Sequence, residues 1–90
     1  MSRSDEDKKT ITLEVLSLGS GGLRLDNISS MQVQLADGSW LGIRPGHAPL
    51  ITATGDGELK YWQYGKEQVA QVKGGILTLK DDLISVLTTH

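Results

Sequence analysis

The stretch LGIRPGHAPL, residues 41–50, lies near the middle of this 90-residue chain and decides how its neighbours fold. Pro45 and Pro49 fix φ at about −65° and lack a backbone N–H, so the stretch cannot extend the hydrogen-bond ladder of a sheet. Gly46 lies between them and permits a sharp reversal of the chain. We therefore expect a stiffened loop that presents His47 to its surroundings and loses little entropy on docking.

Short runs of alternating apolar and polar residues flank this loop on both sides. Such alternation is typical of strands that bury one face, and the glycine-rich breaks between the runs are typical of tight turns. No run of helical length has a period of 3.6 residues, and the sequence contains no internal repeat. The runs are 11–16, 23–25, 31–35, 40–43, 50–54, 59–64, 68–73, 76–79 and 83–87. The pattern predicts one all-β domain over residues 10–90, preceded by a flexible polar tail over residues 1–9.

The composition excludes several classes of function. The net charge is −2 and the basic residues are spread along the chain, whereas a nucleic-acid surface needs clustered Lys and Arg. The chain has no cysteine, so disulfides and thiolate metal sites are impossible. No apolar run approaches the roughly 18 residues of a membrane span. We expect a soluble domain with no nucleic-acid partner and no direct insertion into a membrane.

Three small groups of residues could in principle form a metal site, a catalytic triad or a phosphate-binding loop. A metal site at His47 would lack soft ligands, because the only other histidine is His90. Ser20, His47 and Asp56 could form a triad, but the sequence lacks the G-x-S-x-G pattern that positions a nucleophilic serine. Residues 19–22 (GSGG) follow a strand, yet no Lys-Ser/Thr and no helix come after them to hold a phosphate. We expect no catalytic residue, no metal and no cofactor.

The aromatic residues point to packing and to a partner. Alternation places Tyr61 and Trp62 on opposite faces of one strand, so one face packs on the core and the other can meet another protein. Trp40 follows a hairpin turn at Asp37 and Gly38. Two interpretations of Trp40 stay open, a core plug and an exposed interface anchor.

Four segments together resemble the β-sandwich of ATP synthase epsilon subunits. Residues 41–50 (LGIRPGHAPL) are similar to the family's G-x-L-G-I-x-P-G-H-A-P-L signature. Residues 52–57 (TATGDG), 74–77 (GGIL) and 83–87 (LISVL) resemble later segments of the family in order and spacing. The resemblance implies an all-β fold, a flattened antiparallel β-sandwich of about ten short strands.

The same resemblance implies a function and partners. It implies a non-catalytic central-stalk subunit on the cytoplasmic face of the membrane, which links the gamma subunit to the c ring and couples ion-driven rotation to ATP synthesis. The residues expected to face gamma are Pro45, Gly46, His47, Ala48, Pro49, Gly74, Gly75, Ile76 and Leu77. The residues expected near the c ring are Asp37, Gly38, Ser39, Trp40 and Gly57.

Departures from the family's pattern keep other interpretations open. Trp40 stands where the family commonly has an acidic residue, and Lys73 stands where Ser is usual. Family members usually continue into a helical hairpin, which binds ATP in some bacteria, so ATP binding is not expected of residues 1–90. The alternatives are a stand-alone β-sandwich adaptor outside the synthase and a small hydrolase built around His47.

Overall fold

The computed structural model describes residues 9–17 and 21–88, and all regular structure within them is β-strand. The predicted tail lies outside these residues except for Lys9, as do residues 18–20 of the first glycine-rich turn. Among the described residues, no helix is long and apolar enough to cross a membrane. The strands are β1 (Ile11–Ser17), β2 (Gly21–Leu35), β3 (Trp40–Ile43), β4 (Leu50–Gln63), β5 (Lys66–Val72), β6 (Gly75–Lys80) and β7 (Leu83–Thr88).

The strands form two packed sheets that share two long strands. The first sheet has the order β2–β1–β7–β6–β4, and β4 then pairs back with β2, so this set closes on itself. β3 joins β2 and β5 joins β4, and these four strands make the second sheet. All pairings are antiparallel except β1 with β7, which is parallel. The predicted all-β sandwich is confirmed.

The described residues form seven strands rather than about ten, because two predicted turns are bends within strands. β2 continues through Asn27, which has a φ of 62°, and β4 continues through Gly57, which has a φ of 145°. The pairing of β2 with β1 and with β4 shifts register close to these bends. Bulged residues let a strand leave one sheet and enter the other. Turn-forming residues therefore mark bends here, which the sequence pattern does not distinguish from strand ends.

The core lies between the two sheets and is built from aliphatic side chains. On β7, Ile84 and Val86 are fully buried, while the alternate residues Leu83 and Leu87 face outward. Tyr61 of β4 is partly buried and packs against the core. The buried apolar residues are Ile11, Leu13, Ile28, Met31, Val33, Ile43, Leu59, Leu77, Leu79, Ile84 and Val86.

Candidate partner interfaces

The loop between β3 and β4 is fixed at one end of the sandwich. Gly46 has a φ of 86°, so the sharp reversal expected at this position is present. The backbone N–H of Gly46 donates a hydrogen bond to Asp82 Oδ1 at 2.8 Å, and the N–H of His47 donates to the carbonyl of Arg44 at 3.2 Å. Asp82 lies in the turn between β6 and β7. The loop is thus held both by its own turn and by a neighbouring turn.

His47 is a partly buried residue of this loop. Its Nδ1 lies 2.7 Å from the carbonyl oxygen of Ala48. Because a carbonyl oxygen only accepts, Nδ1 carries the proton in this hydrogen bond, and Nε2 is left for a further partner. Within residues 9–17 and 21–88, no group of three or more His, Asp or Glu side chains is placed to hold a metal ion. Ser20 of the triad considered from sequence lies outside the described residues.

The residues expected near the c ring come together at the opposite end. Asp37 Oδ1 accepts hydrogen bonds from the hydroxyl and from the backbone N–H of Ser39, at 2.6 and 2.9 Å. These two bonds hold the pKa of the exposed Asp37 carboxyl below its ordinary value, and the bond from the Ser39 hydroxyl has the larger effect. Gln34 reaches Gly38 from β2, where its Nε2 donates to the carbonyl at 3.4 Å. Its Oε1 lies 3.0 Å from the position that a Cβ on Gly57 would take.

The pair Gly74 and Gly75 lies at this same end and serves close packing of strands. The N–H of Gly74 donates to Asp56 Oδ1 at 2.5 Å. A Cβ on Gly75 would collide with the carbonyl oxygen of Leu87 on β7. Glycine is found in a strand where another backbone approaches this closely. The close packing of neighbouring strands therefore explains why glycine is present at both positions.

The structure divides the residues expected to face gamma. Thr54 pairs with Gly75, whereas Leu50, which directly follows the loop, pairs with Leu79. The two pairs are four residue steps apart, which is about 13 Å of strand. The two halves of the expected set therefore lie at opposite ends of the first sheet. Leu77 is fully buried, so its side chain belongs to the core, whereas Ile76 is 47% exposed.

An apolar row crosses the outer face of the first sheet, and the sequence analysis did not identify it. Leu16, Leu87, Ile76 and Ala53 are register neighbours on four adjacent strands. All four are exposed, although each lies in a strand that also buries apolar residues on its other face. The signal was present in runs such as 83–87 (LISVL), where both alternating positions carry large apolar residues. A contiguous exposed apolar surface marks a site of protein contact.

Trp40 is an exposed residue rather than a core plug. It is 49% exposed on the outer face of the second sheet. Lys60 Nζ lies 5.7 Å from the centroid of its ring, which is a cation–π distance. The indole thus contacts a lysine of β4, on the far side of β2, while about half of the residue stays exposed.

The chain matches the family described as "ATP synthase, Delta/Epsilon chain, beta-sandwich domain" over residues 10–90. It is 40% identical over 63 residues to the ATP synthase epsilon chain of Leptospira interrogans serovar Lai, which covers 70% of this chain and 49% of that protein. It is 37% identical over 78 residues to the epsilon chain of Solibacter usitatus, which covers 87% of this chain and 57% of that protein. The chain thus spans about half the length of the curated relatives it matches.

Two solved structures share this fold at low sequence identity. A chain of the Euglena gracilis mitochondrial ATP synthase superposes with a TM-score of 0.74 at 16% identity, covering 92% of this chain and 52% of that chain. A chain from the central stalk and c-ring of the Tetrahymena thermophila mitochondrial ATP synthase gives 0.69 at 14% identity, covering 92% of this chain and 66% of that chain.

Proposed function

This chain belongs to the delta/epsilon family of ATP synthase chains through its β-sandwich domain, and from that membership we propose that it is a non-catalytic subunit of the central stalk of an F-type ATP synthase. Its role is to hold the gamma subunit on the c ring, so that ion-driven rotation reaches the catalytic head and supports ATP synthesis. The observation that carries the proposal is the family match over residues 10–90, because these residues include both sheets of the sandwich.

The exposed surfaces support a role in protein contact. The apolar row Leu16–Leu87–Ile76–Ala53 offers a face that is unfavourable in water and favourable against another protein. The loop of residues 45–49 is already fixed before any partner arrives, and a preordered loop loses less entropy on binding. We assign both surfaces to the contact with gamma, together with Gly74 and Gly75, which directly precede Ile76 of the row.

The end of the second sheet that lies opposite the loop of residues 45–49 suits a contact with the c ring. The turn at Asp37, Gly38 and Ser39 lies beside Gly57 and is exposed. Trp40 lies next to this turn, and its ring is apolar where the family commonly has a charge. We propose that this corner touches the ring through the Asp37 carboxylate and the face of Trp40.

The assignment carries expectations for location and ligands. As part of the synthase, the chain lies at the cytoplasmic face of the membrane and attaches through its partners. Residues 1–90 are expected neither to catalyse a reaction nor to bind ATP.

Copurification with the gamma subunit of the same organism tests the proposal. The stalk assignment predicts a stable complex between gamma and residues 1–90. Recovery with an unrelated protein, and no complex with gamma, would replace the assignment with that of a stand-alone adaptor. Turnover of a substrate without any partner would support the hydrolase instead.

A further inference from the structure

The presence of glycine at position 42 is not explained by the structure around it. Gly42 lies in the interior of β3, where glycine weakens a strand because it packs no side chain. Its φ is not in the left-handed region. A Cβ built on it would meet no heavy atom within 4 Å. Within the part of the chain that the structure describes, neither the backbone nor the packing requires glycine at this position.

Other glycines of the sandwich differ from Gly42 in this respect. A Cβ on Gly55 would press against the carbonyl of Leu35 at 3.0 Å, and one on Gly74 would lie 2.8 Å from the carbonyl of Thr54. Such contacts show that strand glycines in this fold allow another backbone to come close. At Gly42 no such group comes from residues 9–17 or 21–88, which leaves the position open to the close approach of a group from another molecule.

An open groove with a volume of about 760 Å³ lies against Gly42. Its walls include Ser29, Ser30, Gln32 and Trp62, and its end is formed by Arg44 and His47. Gly42 and Gly65 leave it open because they have no side chains. Among the residues that the structure describes, no Asp or Glu lines it, although the chain as a whole carries a net charge of −2. The groove therefore favours an anionic occupant.

We propose that this groove binds an extended acidic segment of the stalk partner, an inference that rests on the proposed function. The backbone of the segment lies over Gly42, where the lack of a side chain permits close approach. A carboxylate of the segment pairs with the exposed Arg44 guanidinium, and an apolar side chain packs on Trp62. The groove is shallow and open to solvent, which suits a polypeptide lying across it better than an enclosed small ligand.

Two variants with a matched control test the groove by titration against purified gamma subunit. Gly42→Leu fills the groove where the structure has free space, and Arg44→Glu reverses the charge at its end. Gln71→Leu is the control, because it adds an apolar side chain at an exposed strand position outside this groove. Thermal midpoints equal to wild type establish that each variant is folded.

The proposal predicts at least a tenfold increase in Kd for Gly42→Leu, with Gln71→Leu unchanged. Arg44→Glu is expected to raise Kd similarly and to reduce its dependence on salt concentration, because a charge pair is lost. If Gly42→Leu binds gamma with wild-type affinity, the groove is not the binding site, whereas the stalk assignment still holds. Absence of any complex between wild type and gamma would overturn both. Binding of inorganic phosphate or ATP by wild type, lost in Gly42→Leu while gamma binding is kept, would show a small-anion site instead.

Discussion

Asp82 accepts a hydrogen bond from the backbone N–H of Gly46 across 36 positions of sequence, with 2.8 Å between Oδ1 and the nitrogen. The carbonyl of the same aspartate accepts from the N–H of Thr12 on β1 at 2.9 Å. One residue of the β6–β7 turn thus joins the start of the first strand to the central loop. The stiffness of that loop depends on a turn far away in sequence.

Replacing Asp82 with alanine is expected to destabilise the fold by about 1–3 kcal/mol, because a charge-assisted hydrogen bond is lost. The matched control is Asp81→Ala, since Asp81 also has a positive φ, 52° against 62° for Asp82, but does not bond Gly46. Any cost of placing alanine in that conformation is therefore common to both variants. Urea unfolding should show the larger loss for Asp82→Ala. Equal losses would mean that the bond to Gly46 contributes nothing.

Gly46→Val is expected to lower the free energy of unfolding by about 1–3 kcal/mol, because a β-branched residue is strained at positive φ. Gly42→Val serves as the control, since Gly42 has an ordinary φ and open space around it. The thermal midpoint of Gly46→Val should fall while that of Gly42→Val stays near wild type. A normal midpoint for Gly46→Val would contradict the geometry of the loop.

Asp37 is expected to titrate below the ordinary pKa of an aspartate, and Ser39→Ala should raise that pKa. A lowered folded-state pKa means that the turn gains stability above the unfolded pKa and loses it as pH falls through the folded pKa. The β2–β3 turn should therefore loosen only in strong acid. NMR titration of the Asp37 carboxyl measures this directly. An unchanged pKa in Ser39→Ala would show that the hydroxyl bond is absent in solution.

The neighbours Ile76 and Leu77 should respond to substitution in opposite ways. Leu77→Ala is expected to cost about 2–5 kcal/mol of stability, because it empties part of the core. Ile76→Ala should change stability little and weaken the complex with gamma, because Ile76 lies in the exposed row. Urea unfolding and a gamma titration of both variants separate the two effects. Undiminished gamma binding by Ile76→Ala would remove the apolar row from the proposed interface.

Local pattern predicted the fold because burial on one face produces alternation that is visible in sequence. The runs around Ile84 and Tyr61 predicted strands, and the structure has β7 and β4 at these positions. The same information did not show that β2 and β4 pass between the sheets, because Asn27 and Gly57 can serve either a turn or a bend. Which strands pair is also non-local, as in the parallel pairing of β1 with β7.

The surface was less predictable than the fold for the same reason. Adjacent motif residues such as Ile76 and Leu77 were expected to act together, but the pleat of β6 sends them to opposite faces. The row from Leu16 to Ala53 joins residues from four strands, so no single segment of sequence contains it. The open space beside Gly42 is a property of the folded chain, so the sequence alone does not distinguish this glycine from the others.

In the proposed stalk function, the chain couples rotation to ion transport without taking part in catalysis. The most direct measurement compares ATP hydrolysis and ion pumping in reconstituted vesicles, with the synthase assembled with and without this chain. Removal of the chain should leave ATP hydrolysis active and abolish pumping, and adding the chain back should restore pumping. Full pumping by a synthase that lacks the chain would rule out the proposed stalk function.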